Sequence, residues 1–160
     1  MSYIPLYNFF PEITKKETRT ITVFGDDYGI PQGDYGLVEM YCDDQNCDCR
    51  RVMLNVMASF SKKCEAVIAF GWESELFYAR WYNLDNNLTK KQYDEQFNET
   101  DKYTTKTLKG PCLNAASHQG KYAEIILDIV TKQVLSNESY VDRLKRHYRI
   151  FKDKVNKINS

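Results

Sequence analysis

The sequence predicts an α+β domain, with an antiparallel sheet over about residues 18–72 covered by two C-terminal helices between about 120 and 158. Apolar residues alternate with a period of two through the first half and recur at helical spacing through the last third. The strand-like runs follow one another through short polar connections, whereas parallel strands would need long crossovers, so the expected topology is a meander. With 42% apolar and 14% aromatic residues the chain can bury a core unaided, which excludes disorder as its main state. The 160 residues fit one domain, divided into a sheet-forming part (18–72), a mixed linker region (73–119) and a helical part (120–158).

Each element follows from local pattern. Residues 18–24 (TRTITVF) are rich in β-branched side chains and run into the turn-forming stretch Gly25-Asp26-Asp27-Tyr28-Gly29. After Pro31-Gln32-Gly33-Asp34, residues 35–41 place Tyr35, Leu37 and Glu39 on one strand face and Val38 and Met40 on the other. Residues 49–60 set Val52, Leu54 and Val56 on one face. In residues 64–72, Ala66, Ile68 and Phe70 alternate with Val67, Ala69 and Gly71, and Ser61-Lys62-Lys63 makes the hairpin turn between these two strands. Beyond Trp72 the pattern changes. Ser74 can cap a helix over 75–82, although the same aromatic run also suits a strand. Thr89 opens a helix over 90–97, and the polar stretch 98–109 reads as a loop or an edge strand closed by Gly110-Pro111. Tyr122, Ile125, Ile126, Ile129, Val130 and Val134 fall at helical spacing. Asn137 and Glu138 start a final helix whose stripe is Val141, Leu144, Tyr148, Phe151, Val155 and Ile158. Both stripes are expected against the open face of the sheet.

The net charge is zero, yet residues 131–160 carry eight basic against three acidic side chains, a net of +5 that leaves −5 on the rest. Arg143, Arg146, Arg149 and Lys152 in that segment are candidates for contact with a partner, a phosphate backbone included, although a basic segment more often lies against its own body or forms a solvated helix face. The chain as a whole lacks the basic excess of nucleic-acid-binding domains. No apolar run approaches the roughly 20 residues of a membrane helix, and the first residues lack a charged segment followed by an apolar one, so no membrane association is expected and the expected location is the cytoplasm.

The densest chemistry is Cys42-Asp-Asp-Gln-Asn-Cys47-Asp-Cys49. In a reducing compartment, thiols this crowded are metal ligands more often than disulfide partners, and a soft sulfur set suits zinc. The intervening residues form turns readily, so the loop can fold Cys42, Cys47 and Cys49 around one ion. Arg50 and Arg51 are expected beside the thiolates, where they would help keep them ionised. Cys64, about 36 Å away at the strand rise, starts the next strand at the opposite end of the hairpin and is excluded as a ligand. The near end carries Trp72, Glu73 and Glu75. A fourth ligand is expected from His147 or Cys112, or from a nonprotein ligand such as water, which would leave an open site.

Other constellations carry less. Asp43, Asp44 and Asp48 lack the ligand rhythm of a calcium loop and read as turn residues. Gly25 and Gly29 lack a phosphate-cradling motif, and Ser117, His118 and Cys112 lack a nucleophile elbow. Trp72, Phe77, Tyr78, Trp81 and Tyr82 form either a stacking platform or the lid of the core.

The block Tyr41-Cys42-x4-Cys47-Asp48-Cys49-Arg50-Arg51-Val52 stands between Pro31-x-Gly33-x-Tyr35 upstream and Arg143-Leu-Lys-Arg146-His147-Tyr148 with Phe151-Lys152 downstream. In this pattern the chain resembles a family of uncharacterised bacterial proteins over about residues 18–152. The resemblance implies a bacterial source and no particular activity. The residues themselves point first to a noncatalytic, zinc-stabilised interaction domain with a protein partner. A nucleic-acid adaptor using the basic C-terminal helix comes second and a metal-dependent hydrolase third.

Overall fold

A computed structural model describes residues 2–26 and 28–160. Met1 and Asp27, the latter part of the turn expected after the first predicted strand, lie outside the described residues. In chain order the elements are β1 (Tyr3–Pro5), α1 (Pro11–Glu17), β2 (Thr20–Val23), β3 (Gly33–Cys42), β4 (Arg51–Ala58), β5 (Cys64–Gly71), α2 (Glu75–Asn83), α3 (Lys90–Gln96), α4 (Glu99–Lys109), β6 (Cys112–Leu113), α5 (Ala123–Gln133) and α6 (Glu138–Ile158).

The expected meander is present: β2, β3, β4 and β5 pair antiparallel in succession, with Leu37 opposite Val56 and Leu54 opposite Ile68. Two short strands extend it. β1 joins the free edge of β3 beyond β2, setting Tyr3 opposite Cys42, and β6 adds to β5. Neither strand was readable from two or three residues, because such pairing depends on backbone partners that lie far away in sequence.

Alternation sends Tyr35, Leu37, Tyr41, Val52, Leu54, Val56, Ala66 and Ile68 into one core under α5 and α6. Ile126, Ile129 and Val130 face them from α5, and Leu144, Tyr148, Phe151 and Val155 from α6. Each large apolar side chain buried there contributes about 1.5–3 kcal/mol, so this double stripe docks the helices. Two expected stripe residues fall outside it. Ile125, about 100° around the helix from Ile126, is 39% exposed, and Ile158 in the last turn is 56% exposed.

The linker region carries three helices, α2, α3 and α4, before β6. Ser74 Oγ accepts from Phe77 N, which starts α2 as a helix, and Thr89 forms a reciprocal capping box with Gln92 at the start of α3. The expectation of a loop or edge strand over 98–109 is corrected, since these residues form α4. Asn98 Oδ1 accepts from Asp101 N at 2.9 Å, and Thr104, Thr105 and Thr107 turn their hydroxyls back onto carbonyls four residues earlier. Capping plus burial of Thr105 outweighs the weak helix propensity of a threonine-rich segment. Among the described residues no helix is long and apolar enough to cross a membrane.

Candidate metal centre

Cys42 is the last residue of β3, and the loop to β4 carries Cys47 and Cys49. Its turn chemistry is as the sequence implied. Asp44 Oδ1 accepts from Asn46 N at 2.9 Å, and Cys47 N donates to Asp44 O at 3.1 Å. Asp43 ties the loop to the N-terminus through Ser2 N and Ser2 Oγ, at 3.0 and 2.6 Å. The last turn is held by two tyrosines. Arg50 has a left-handed φ of 47°; its carbonyl accepts from Tyr78 Oη at 2.8 Å, and its N–H donates to Tyr148 Oη at 3.3 Å. Tyr148 in turn donates to Asp48 Oδ1 at 3.2 Å. From α6, Lys152 Nζ donates to Asp44 O at 2.6 Å and to Cys42 O at 3.4 Å. A strand end, two tyrosines and one lysine therefore pin a short loop on which three thiols converge.

The three Sγ atoms lie within 4.8 Å of one another, and all three residues are buried. Tetrahedral zinc with bonds near 2.3 Å sets its sulfurs about 3.8 Å apart, so small side-chain rotations close the group around an ion. The Cys42/Cys47/Cys49 group could hold a metal ion, and its donor set fits a soft or borderline one. The three sulfurs are close enough to perturb one another's ionisation. Cys42 is pushed up by its hydrogen bond to Cys49 and then by burial. Cys47 is held low by the hydrogen bond from Cys49, which outweighs burial. At Cys49 the bond from Cys42 pulls down, but the bond to Cys47 and burial win and raise it. Cys47 is thus the thiol that ionises first. Tyr3 Oη lies 3.9 Å from Cys49 Sγ, and burial keeps this phenol protonated.

The other residues singled out in the sequence go elsewhere. His147 Nδ1 is 2.7 Å from Glu39 Oε2 and Nε2 is 3.2 Å from Glu17 Oε2, so both ring nitrogens are engaged by carboxylates. Cys112 packs beside Met53, Val67 and Ala69, with its Sγ donating to Thr107 O at 3.2 Å. Cys64 sits opposite Met57, at the far end of the hairpin from the loop. Arg50 does not face the sulfurs: it pairs with Asp48 and Glu73, at 2.9 and 3.2 Å, and covers the Phe77 ring. Carboxylates beside it compete better for a guanidinium than thiols held in a buried pocket. Three of the four basic candidates on α6 are engaged within the fold. Arg143 donates to Glu17 O at 2.9 Å, Arg146 pairs with Glu17 at 2.5 Å, and Lys152 holds the cysteine loop. Arg149 is exposed.

The aromatic group divides in the same way. Tyr78 is fully buried, and Trp72 meets Tyr148 edge-on at 5.3 Å, whereas Tyr82 is 58% exposed. A groove of about 320 Å³ opens beside the loop between Cys47, Asp48, Tyr148, Arg149 and Lys152. A second, of about 360 Å³, adjoins it at Asp48, Tyr148 and Arg149 and reaches Trp72, Glu73 and Lys145.

Sequence reasoning missed Tyr3, Glu17 and Tyr78 as supports of this end of the molecule. One signal was present: Glu39 stands at an inward position of an otherwise apolar strand face, and a buried carboxylate demands a partner. The lone ionisable side chain beside the inward stripe of the last helix, His147, is that partner. Comparison of the chain with protein-family models, with curated proteins and with solved structures returns no match.

Proposed function

We propose that the chain is a noncatalytic interaction domain stabilised by one zinc ion at Cys42, Cys47 and Cys49. The observation that carries this reading is the convergence of three buried sulfurs, within 4.8 Å of one another, on a single short loop. Three ligands on so short a loop lose little chain entropy on closing, and the ion ties the ends of β3 and β4 to α6 through a loop that Lys152 and Tyr148 already hold. When bound, zinc supplies a cross-link between the end of β3 and the loop that leads into β4. Noncatalytic character is supported by the neighbourhood of the thiols. The nearest side-chain hydroxyl, that of Tyr3, is held neutral by burial, and Asp48 is occupied by Arg50 and Tyr148. Neither offers a free base beside an ion. A protein partner is favoured over nucleic acid because Arg143, Arg146 and Lys152 spend their donors inside the fold.

Elemental analysis of protein purified without chelator tests the reading. One equivalent of zinc per chain is expected, with Cys42, Cys47 and Cys49 protected from thiol reagents until chelator is added. Well under half an equivalent, together with free titration of all five thiols in the folded protein, overturns it. Binding to DNA or RNA that weakens steeply as salt rises would favour the nucleic-acid reading instead.

A further inference from the structure

Two cations stand near the cysteine loop, Lys152 directly on its carbonyls and Arg51 through the Tyr3 hydroxyl. Arg51 is only 8% exposed, yet among the described residues it forms no ion pair. Its Nε donates to Leu108 O at 2.7 Å and its guanidinium to Tyr3 Oη at 3.5 Å, the same hydroxyl that lies 3.9 Å from Cys49 Sγ. On the other side of the loop, Lys152 Nζ is held by the Asp44 and Cys42 carbonyls, and among the described residues it too forms no ion pair. Arg51 is the buried one of the two, and a buried cation without a counter-charge is strongly disfavoured; negative charge on the nearby sulfur cluster would balance it, with half-buried Lys152 on the solvent side. A divalent ion bound by three thiolates carries one net negative charge, and two cations leave room for a second.

Among the described residues no fourth Cys, His, Asp or Glu joins the group. The cluster is approached from solvent at Cys47. Cys42 and Cys49 are 0% exposed, whereas Cys47 is 9% exposed and borders the 320 Å³ groove with Lys152, Tyr148 and Arg149. Three protein ligands with an accessible side are the mark of an open coordination site.

We propose that the metal–thiolate centre is open at a fourth position on the Cys47 side and takes there an exogenous thiolate, from a small thiol or from a cysteine of a protein partner, with Lys152 and Arg51 as its counter-charges. The proposal rests on the metal reading above and names how a partner would be recognised. A thiolate is the anion that matches the softness of the three sulfurs already present. The groove admits a ligand of side-chain size. The thiol enters as thiolate, its proton passes to the buffer, and no electron is transferred.

The test uses the full chain loaded with Co²⁺, whose sulfur-to-metal charge-transfer absorption grows with each thiolate bound. Titration with 2-mercaptoethanol should raise that absorption saturably while cobalt stays at one equivalent. A capped Gly-Cys-Gly peptide should do the same and its serine counterpart should not. Tighter binding of the peptide than of the small thiol identifies a protein cysteine as the natural source, and the reverse order identifies a small thiol. Lys152→Gln, measured at saturating Co²⁺, should weaken the added thiol by about tenfold, the scale on which partners surrounding a metal's ligands act. Lys132→Gln, at an exposed ion pair on α5, should bind as the parent does. An absorption that does not respond to thiol shows the fourth position already closed by the protein, and one that falls shows the thiol stripping the ion; either overturns the proposal while leaving the metal site standing. Failure to take up Co²⁺ overturns both.

Discussion

His147 Nδ1 lies 2.7 Å from Glu39 Oε2 in the interior, and the opposite ring nitrogen reaches Glu17 at 3.2 Å. One imidazole therefore links the third strand, the last helix and the first helix. Tyr41 Oη adds a 2.8 Å hydrogen bond to Glu39, and Arg146 clasps Glu17 from the surface. Removing Glu39 would leave the buried ring with only the half-buried Glu17 as a carboxylate partner.

This linkage makes stability depend on pH with a definite sign. Burial pulls the His147 pKa down, but the hydrogen bonds and charges of Glu39 and Glu17 outweigh it, so the folded value stands above the ordinary 6.5. The contribution is complete below pH 6.5 and is lost as pH rises through the folded value. Glu17 acts oppositely: the hydrogen bond from Arg146 and, less strongly, His147 hold it down to about 2, so its contribution is present above its ordinary 4.5 and fades toward pH 2. Urea titrations should find the stability maximum between pH 4.5 and 6.5. In His147→Gln the decline above that range should vanish; an unchanged slope would refute the assignment.

The double helix stripe predicts a contrast between two residues of α6. Leu144 is 0% exposed, so Leu144→Ala should cost about 2–5 kcal/mol. Ile158 is 56% exposed, and Ile158→Ala should stay within about 0.5 kcal/mol. Equal losses in chemical denaturation would mean that the stripe is misplaced.

For the cysteines the contrast is positional. Cys47→Ser should lose bound metal and lower the melting temperature, because it removes one of three converging ligands. Cys64→Ser should leave metal content unchanged, since Cys64 lies at the opposite end of the hairpin. Metal analysis of the two variants side by side decides the matter, and parallel loss in both would break the link between the loop and the ion.

Gly71 ends β5 directly beneath Tyr78, and a methyl group at this position would overlap the Tyr78 hydroxyl. That hydroxyl holds the Arg50 carbonyl at 2.8 Å, so Gly71→Ala should cost about 1–3 kcal/mol and loosen the turn after Cys49. Faster hydrogen exchange at Arg50 and Arg51 is the expected signature. Native protection in a variant of native stability would show the tyrosine to be dispensable.

What the sequence determined by itself was whatever depends on neighbours along the chain. Alternation over residues 35–41 and 64–72, the caps at Thr89 and Asn137, the Asp-rich turn and the clustering of Cys42, Cys47 and Cys49 are all local. Each emerged in the structure where the pattern put it. Threonine-rich α4 was misjudged because propensity was weighed without the Asn98 cap and without the buried seat of Thr105. Tertiary structure alone decided where the long-range charges went. Glu39 and His147 are 108 positions apart, and nothing in either segment announces the other except that both are ionisable groups facing inward. Arg50 chose Asp48 and Glu73 over sulfur, Lys152 capped a loop more than a hundred residues away, and Tyr3 reached Cys49 through a strand only three residues long. The physical reason is that backbone periodicity is set within one or two turns of chain, whereas a buried charge is satisfied by whichever partner the fold brings within about 3 Å.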